Sequence, residues 1–232
     1  MTNTSIETIE TIDLLGKEIP RYIAVEGPIC VGKTTLTKLL ADTFNYDTFL
    51  EAPHENPFID RFYAGEKNSA LPTQLFFLLQ RANQLNELRQ GGLFHPIHVA
   101  DFLIEKDYLF AQITLDGEEL KLYEQIYQNL TLNAPTPDLV IYLQAPTHVL
   151  LKRIKKRAVP AQQSINAEYL NTLNDAYTRF FHYYDRAPLL IVNTADVNWQ
   201  DSPGDYRKLV EHALTLKSGR HYYNSQTVAL PE

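Results

Sequence analysis

Residues 25–36, VEGPICVGKTTL, constrain this chain more than any other stretch. Gly27, Gly32, Lys33 and Thr34 satisfy G-x-x-x-x-G-K-[ST] in full. Such a loop turns successive backbone N–H groups onto phosphate oxygens, at the positive end of the helix that follows. Glycine is needed wherever a side chain would block that approach. The motif also demands a strand before it and a helix after it. Residues 22–27, YIAVEG, are a short apolar run and predict a buried strand; residues 33–44 carry Leu36, Leu39 and Leu40 at helical spacing. Gly27, Pro28, Ile29, Cys30, Val31, Gly32, Lys33, Thr34 and Thr35 are therefore read as a nucleotide-binding loop. Lys33 reaches the β- and γ-phosphates, and the Thr34 hydroxyl is a ligand for Mg²⁺. Cys30 occupies a free position of the motif and is read as a small filler.

The same alternation continues along the chain. Short apolar runs at 47–51, 96–101, 137–144 and 187–194 read as strands. Helical patterns fall at 71–90 (stopped by Gly91-Gly92), 117–130, 147–157, 166–184 and 202–216. Strands that alternate with helices imply an α/β fold, here a five-stranded parallel sheet with helices on both faces. The expected organisation is a loose lead-in over 1–18, one domain over 19–218 and an exposed tail over 219–232. Phe76-Phe77-Leu78-Leu79 reads first as core.

Composition removes several classes. The chain has 232 residues, 44 % hydrophobic and 21 % charged, which suits one folded domain. A net charge of −7 argues against a nucleic-acid polymer as partner. Cys30 is the single cysteine, so no internal disulfide forms and a reducing compartment is expected. No apolar run approaches the roughly 20 residues of a membrane span. Residues 1–20 lack a basic segment followed by an apolar one, so no signal peptide is expected and the cytoplasm is the plain reading. His95 and His98 share a strand region, but His-Glu-x-x-His and cysteine pairs are absent, which leaves no zinc spacing.

In open parallel sheets ligands bind at the carboxyl ends of the strands. Glu51 and Asp101 are expected there, ending the second and third strands. Asp101 suits Mg²⁺, directly or through water. Glu51 suits acceptance of a proton from an attacking hydroxyl. Arg153 and Arg157 are four apart and face one way on a basic helix. No Asn-Lys-x-Asp sequence points to a guanine-nucleotide switch.

With these spacings, residues 21–215 resemble the deoxynucleoside kinase family, which includes deoxycytidine, deoxyguanosine and bacterial deoxyadenosine kinases. The resemblance implies a P-loop kinase fold with a basic lid, and ATP-dependent phosphorylation of a deoxynucleoside 5′-hydroxyl. It implies that Glu51, in Glu51-Ala52-Pro53, is the catalytic base. It places Tyr63 on the sugar 3′-hydroxyl, Gln74 on the base eleven residues later, and Arg81 two helical turns further on. It makes Asp107 the acid near the base and puts Arg153 and Arg157 on the lid. Gln162 stands where a glutamate contacts the 3′-hydroxyl. Three departures follow. Phe102 replaces an arginine, as in some bacterial purine kinases; Val159 replaces a third lid arginine; Gln162 carries no charge. Asp107 with Arg81 favours purine deoxynucleosides, with deoxycytidine next and thymidine worst. Family members are commonly homodimers, and the same is expected here. The alternatives are a thymidylate-like nucleoside monophosphate kinase and a nucleotide-binding regulatory protein that has lost catalysis.

Overall fold

The structure, a computed structural model, describes residues 12, 14, 16–90, 98–197, 199 and 202–224, with backbone alone for 88–90. The strands are β1 (Tyr22–Glu26), β2 (Asp47–Phe49), β3 (His98–Ala100), β4 (Leu139–Gln144), β5 (Leu189–Asn193) and β6 (Arg220–Asn224). The helices are α1 (Lys33–Phe44), α2 (Ile59–Tyr63), α3 (Ala70–Gln90), α4 (Lys106–Thr114), α5 (Gly117–Thr131), α6 (Thr147–Arg157), α7 (Ala167–Tyr183) and α8 (Pro203–Ala213). All strands pair in parallel, in the order β2-β3-β1-β4-β5-β6. β1 lies between β3 and β4, with Ala24 opposite both Ala100 and Val140. Every residue of β1 is buried, as a strand covered on both faces requires.

Side chains alternate across the sheet. Ile23, Val25, Ile141 and Leu143 pack on one face with Leu36 and Leu40 of α1, Leu150 and Ile154 of α6, and Leu209 of α8. Ala24, Val140 and Tyr142 pack on the other with Tyr177 and Phe181 of α7. A third cluster joins Ala100 and Phe102 to Leu78 of α3 and Tyr123 of α5. Leu36, Leu40 and Leu78 are at most 1 % exposed, so truncating any one to Ala costs about 2–5 kcal/mol.

Several expectations change. Among the described residues the sheet has six strands, because Arg220–Asn224, within the expected tail, pairs with β5. RHYYN shows no apolar run because an edge strand needs only backbone pairing and stays half exposed. Neither Glu51 nor Asp101 ends its strand: β2 stops at Phe49, two residues before Glu51, and β3 at Ala100, one before Asp101. In the expected lead-in, Ile12 is buried in the core. The Gly91-Gly92 stop, His95, the first two residues of the expected third strand and residues 225–232 lie outside the described residues. Helix α4 carries no sequence prediction, since it opens on the buried polar pair Lys106 and Asp107 and shows no clean apolar stripe.

The parallel arrangement gathers the ends of β1, β2 and β3 on one edge. The phosphate-loop motif follows β1, Glu51 follows β2 and Asp101 follows β3.

Candidate active site

The loop between β1 and α1 needs its glycines. Gly27 has φ +150°, and a Cβ there would lie 2.3 Å from the Leu143 carbonyl oxygen. Gly32 has φ +112° at the start of α1. Cys30 also adopts a positive φ, +60°. Lys33 Nζ donates to the carbonyls of Gly27 (2.7 Å) and Pro28 (3.3 Å). Burial depresses the Lys33 ammonium, as does neighbouring Lys106, against the opposing pull of Glu26, Glu51 and Asp101.

Two carboxylates meet beside the loop. Thr34 Oγ1 donates to Asp101 Oδ2 at 2.6 Å, and the Glu51 backbone N–H donates to Asp101 Oδ1 at 2.7 Å. Burial raises the Asp101 carboxyl above its usual range, as does the Glu51 charge. Thr34 and Asp101 are hard oxygen donors that fit Mg²⁺, which takes one or two carboxylates and otherwise relies on substrate phosphates and water. No group of three or more His, Cys, Asp or Glu that could hold a metal by itself gathers anywhere among the described residues, this site included.

Glu51 is the centre of an ion-pair chain. Its Oε1 accepts from Arg81 Nε at 2.9 Å and is in close contact with Arg81 Nη2 and Lys106 Nζ. Arg81 Nη1 pairs with Asp107 Oδ1. Lys106 Nζ also lies 3.5 Å from Oε2 of Glu26, a fully buried carboxylate. Burial works against the Glu51 charge, but Arg81, Lys106 and Lys33 outweigh it and hold the carboxyl well below its usual range. Asp107 goes the other way. Burial pushes its carboxyl up to about 7, despite Arg81 and Lys106. Its Oδ2 is buried with no hydrogen-bond partner among the described residues. Arg81 lies over Phe77 and Phe102, 5.0 and 5.9 Å from the ring centroids. Phe102 is thus a buried floor under Arg81.

Every side chain singled out from the sequence as catalytic, substrate-binding or metal-binding faces one cavity of about 770 Å³. These are Lys33, Thr34, Glu51, Tyr63, Gln74, Arg81, Asp101, Asp107, Arg153, Arg157 and Gln162. Of the glycine loop between β1 and α1, Gly27, Ile29, Cys30, Val31, Gly32 and Thr35 also line it, and Pro28 contributes its carbonyl to Lys33. Cys30 Sγ lies 3.8 Å from Gln162 Oε1. Arg153 is anchored: it donates to the Val31 carbonyl and the Thr194 hydroxyl, both at 3.2 Å, and to the Thr194 carbonyl. Arg157, one turn further along α6, carries the same cavity wall.

Sequence reasoning missed Glu26, Lys106, Thr194 and Trp199. Glu26 accepts from Gly27 N (2.7 Å), Tyr177 Oη (2.8 Å) and Leu103 N (2.7 Å). The signal was a carboxylate inside an apolar strand, touching the glycine loop. Thr194 follows β5 directly, so the rule that picked Asp101 would have found it. Trp199 lines the cavity near Gly32, and nothing in its sequence context points there.

Residues 23–216 match the sequence profile of the family described as Deoxynucleoside kinase. The chain belongs to that family. It is a phosphotransferase, and the family uses a nucleotide as phosphate donor. A deoxyguanosine kinase of Bacillus subtilis (strain 168) is 34 % identical over 204 residues, covering 84 % of this chain and 97 % of the relative. A deoxyadenosine kinase of Dictyostelium discoideum is 29 % identical over 188 residues, 78 % of this chain and 73 % of that one. Among solved structures, the deoxyadenosine kinase from M. mycoides with bound dCTP superposes with a TM-score of 0.71 at 26 % identity, over 84 % of this chain and 98 % of that one. The same enzyme with bound dATP gives 0.70. A thymidylate-like monophosphate kinase is therefore set aside. Among the described residues no helix is long and apolar enough to cross a membrane.

Proposed function

We propose that this kinase transfers the γ-phosphoryl group of ATP to the 5′-hydroxyl of a purine deoxynucleoside. The observation that carries the reading is the Glu51 carboxylate, held between Arg81 and Lys106 on the wall that also carries the phosphate loop. Its side chain is 14 % exposed, enough to meet a substrate hydroxyl. The 5′-oxygen attacks the γ-phosphorus as Glu51 accepts its proton, and the bond to the β-γ bridging oxygen breaks to release ADP. A loose transition state keeps that proton on the hydroxyl until late, so a carboxylate of low basicity suffices. The loop amides and Lys33 hold the donor phosphates. Mg²⁺, when bound by Thr34 and Asp101, supplies neutralisation of phosphate charge. Arg157 faces the charge that develops on the transferring group, and Arg153 ties the phosphate loop to the end of β5.

Tyr63 and Gln162 are assigned to the 3′-hydroxyl and Gln74 to the base. The Gln74 amide has a donor and an acceptor side and can orient any base by flipping. Choice falls to Arg81 and Asp107. Asp107 Oδ2 is free to accept from an exocyclic amine, which thymine lacks. The relatives named for deoxyguanosine and deoxyadenosine support a purine as substrate.

A homodimer through the face made by α4 and α7 fits the groove there, which is lined by Leu109, Ile113 and Phe180 and flanked by exposed Tyr183. The single cysteine supports a reducing compartment such as the cytoplasm. The test is ADP release from wild-type protein with ATP, Mg²⁺ and each of the four deoxynucleosides. Deoxyguanosine or deoxyadenosine is expected to give the highest kcat/KM and thymidine the lowest. Preference for thymidine would overturn the base assignment, and ATP binding without turnover on any of the four would make the chain a regulatory protein.

A further inference from the structure

We propose that Lys106 is a positioning residue for the transfer step. It clamps the Glu51 carboxylate to the buried Glu26 carboxylate, and so sets where the proton acceptor stands relative to the phosphate loop. The inference rests on Glu51 being that acceptor.

The two carboxylates that Lys106 joins differ in what holds them. Glu26 is held on three sides: its oxygens take hydrogen bonds from the Gly27 and Leu103 amides and the Tyr177 hydroxyl, and all three donors are buried or belong to the loop itself. Glu51 follows a three-residue strand and lies in irregular backbone. Its carboxylate has one brace on the base side, Arg81, which is paired in turn with Asp107. Lys106 supplies the brace on the phosphate side, touching Glu51 Oε1 and lying 3.5 Å from Glu26 Oε2. Glu51 is thereby fixed from two directions, one referenced to the base pocket and one to the first amide of the phosphate loop.

Lys106 is not a second copy of Lys33. The Lys33 ammonium donates to the Gly27 and Pro28 carbonyls inside the loop, whereas the Lys106 ammonium faces the two glutamates. The Lys106 side chain is only 4 % exposed. Burying a cation between two carboxylates carries a desolvation cost that often cancels its attraction, so stability alone is a weak reason for it. Holding a proton acceptor to within a fraction of an ångström is a better one, because small misplacements at the reacting atoms cost large factors in rate.

Four variants, Lys106→Met, Lys106→Arg, Glu51→Gln and Glu51→Gln/Lys106→Met, are compared with wild type. The readouts are steady-state kinetics with deoxyguanosine and ATP, and calorimetric ATP binding. Lys106→Met is expected to lower kcat about a hundredfold, the scale of losing a placed proton acceptor. Its KM for ATP should stay within about threefold of wild type, because the loop is untouched. Lys106→Arg keeps the cation and should recover about tenfold or more of that loss. In the Glu51→Gln background, adding Lys106→Met should cost less than about threefold more, because residues that act as one unit are not additive. Undiminished turnover in Lys106→Met, an arginine variant as slow as the methionine one, or a full second loss in the double variant would each overturn the proposal. So would a Lys106→Met chain that no longer binds ATP, which would mark Lys106 as a structural ion-pair partner. Wild-type protein inactive on every deoxynucleoside would instead sink the functional reading, and leaves a distinct signature from any of these.

Discussion

On the proposed assignment, the donor and acceptor sides of the cavity are built in opposite ways. The donor side is nine consecutive residues, 27–35, whose chemistry lies mostly in backbone amides and one lysine. The acceptor side is Glu51, Arg81, Lys106 and Asp107, brought in from the segment after β2, from α3 and from α4. Its chemistry lies in side-chain charges that hold one another. A backbone cradle survives most neighbouring substitutions, while its single lysine has no substitute. An ion-pair chain distributes its work, so each link changes the others.

That contrast orders the expected effects. The largest belongs to the donor side: Lys33→Ala should lower kcat about a thousandfold by removing a fixed phosphate partner. Deoxynucleoside binding, measured calorimetrically without ATP, should persist. Loss of nucleoside binding together with the helical circular dichroism signal would make Lys33 structural and erase the distinction between the two sides.

Next comes Glu51→Gln, which keeps size and polarity and cannot take the proton. A kcat about a hundredfold lower is expected, with ATP affinity unchanged. A variant that keeps most of its turnover would leave the acceptor side without its base.

Arg157→Ala should lower kcat about tenfold to a hundredfold with little change in nucleoside KM, because its partner charge develops only during transfer. Arg153→Ala differs: the guanidinium is tied to Val31 and Thr194, so its loss should also raise KM for ATP. Identical kinetic signatures for the two arginines would contradict that division.

The smallest effects sharpen the acceptor side. Asp107→Ala should raise thymidine kcat/KM relative to deoxyadenosine about tenfold, the scale of one buried polar contact. An unchanged ranking would remove Asp107 from base reading. Asp107 also links stability to pH. Its carboxyl is raised from 3.8 to about 7 in the folded chain. Between those values the folded chain keeps a proton that the unfolded chain has released. Stability therefore falls as pH rises through that window, and the full penalty is present above about 7. Asp107→Asn should flatten that part of the Tm-against-pH curve. A wild-type curve with the same slope as the variant would place the titration elsewhere.

The order of strands and helices was legible because burial on both faces forces short apolar runs, and surface helices force a 3.6-residue period. Helix α1 begins at Lys33 and ends at Phe44 as its leucine spacing and the loop motif require. The phosphate loop was legible because its function is a contiguous backbone shape, and only glycine fits where a Cβ at position 27 would strike Leu143. β6 was not legible, since pairing at a sheet edge leaves no apolar mark on Arg220–Asn224. Helix α4 was not, since its first turn buries a lysine and an aspartate that are affordable only because Glu26, Glu51 and Arg81 meet them there. The candidate residues could be named one by one from spacing, but their pairing could not. Glu51 and Arg81 are thirty residues apart and Glu51 and Lys106 fifty-five. How far the Glu51 carboxyl is lowered and the Asp107 carboxyl raised depends on distances among charges in a water-poor interior. Those distances exist only once the sheet has brought the ends of β1, β2 and β3 together.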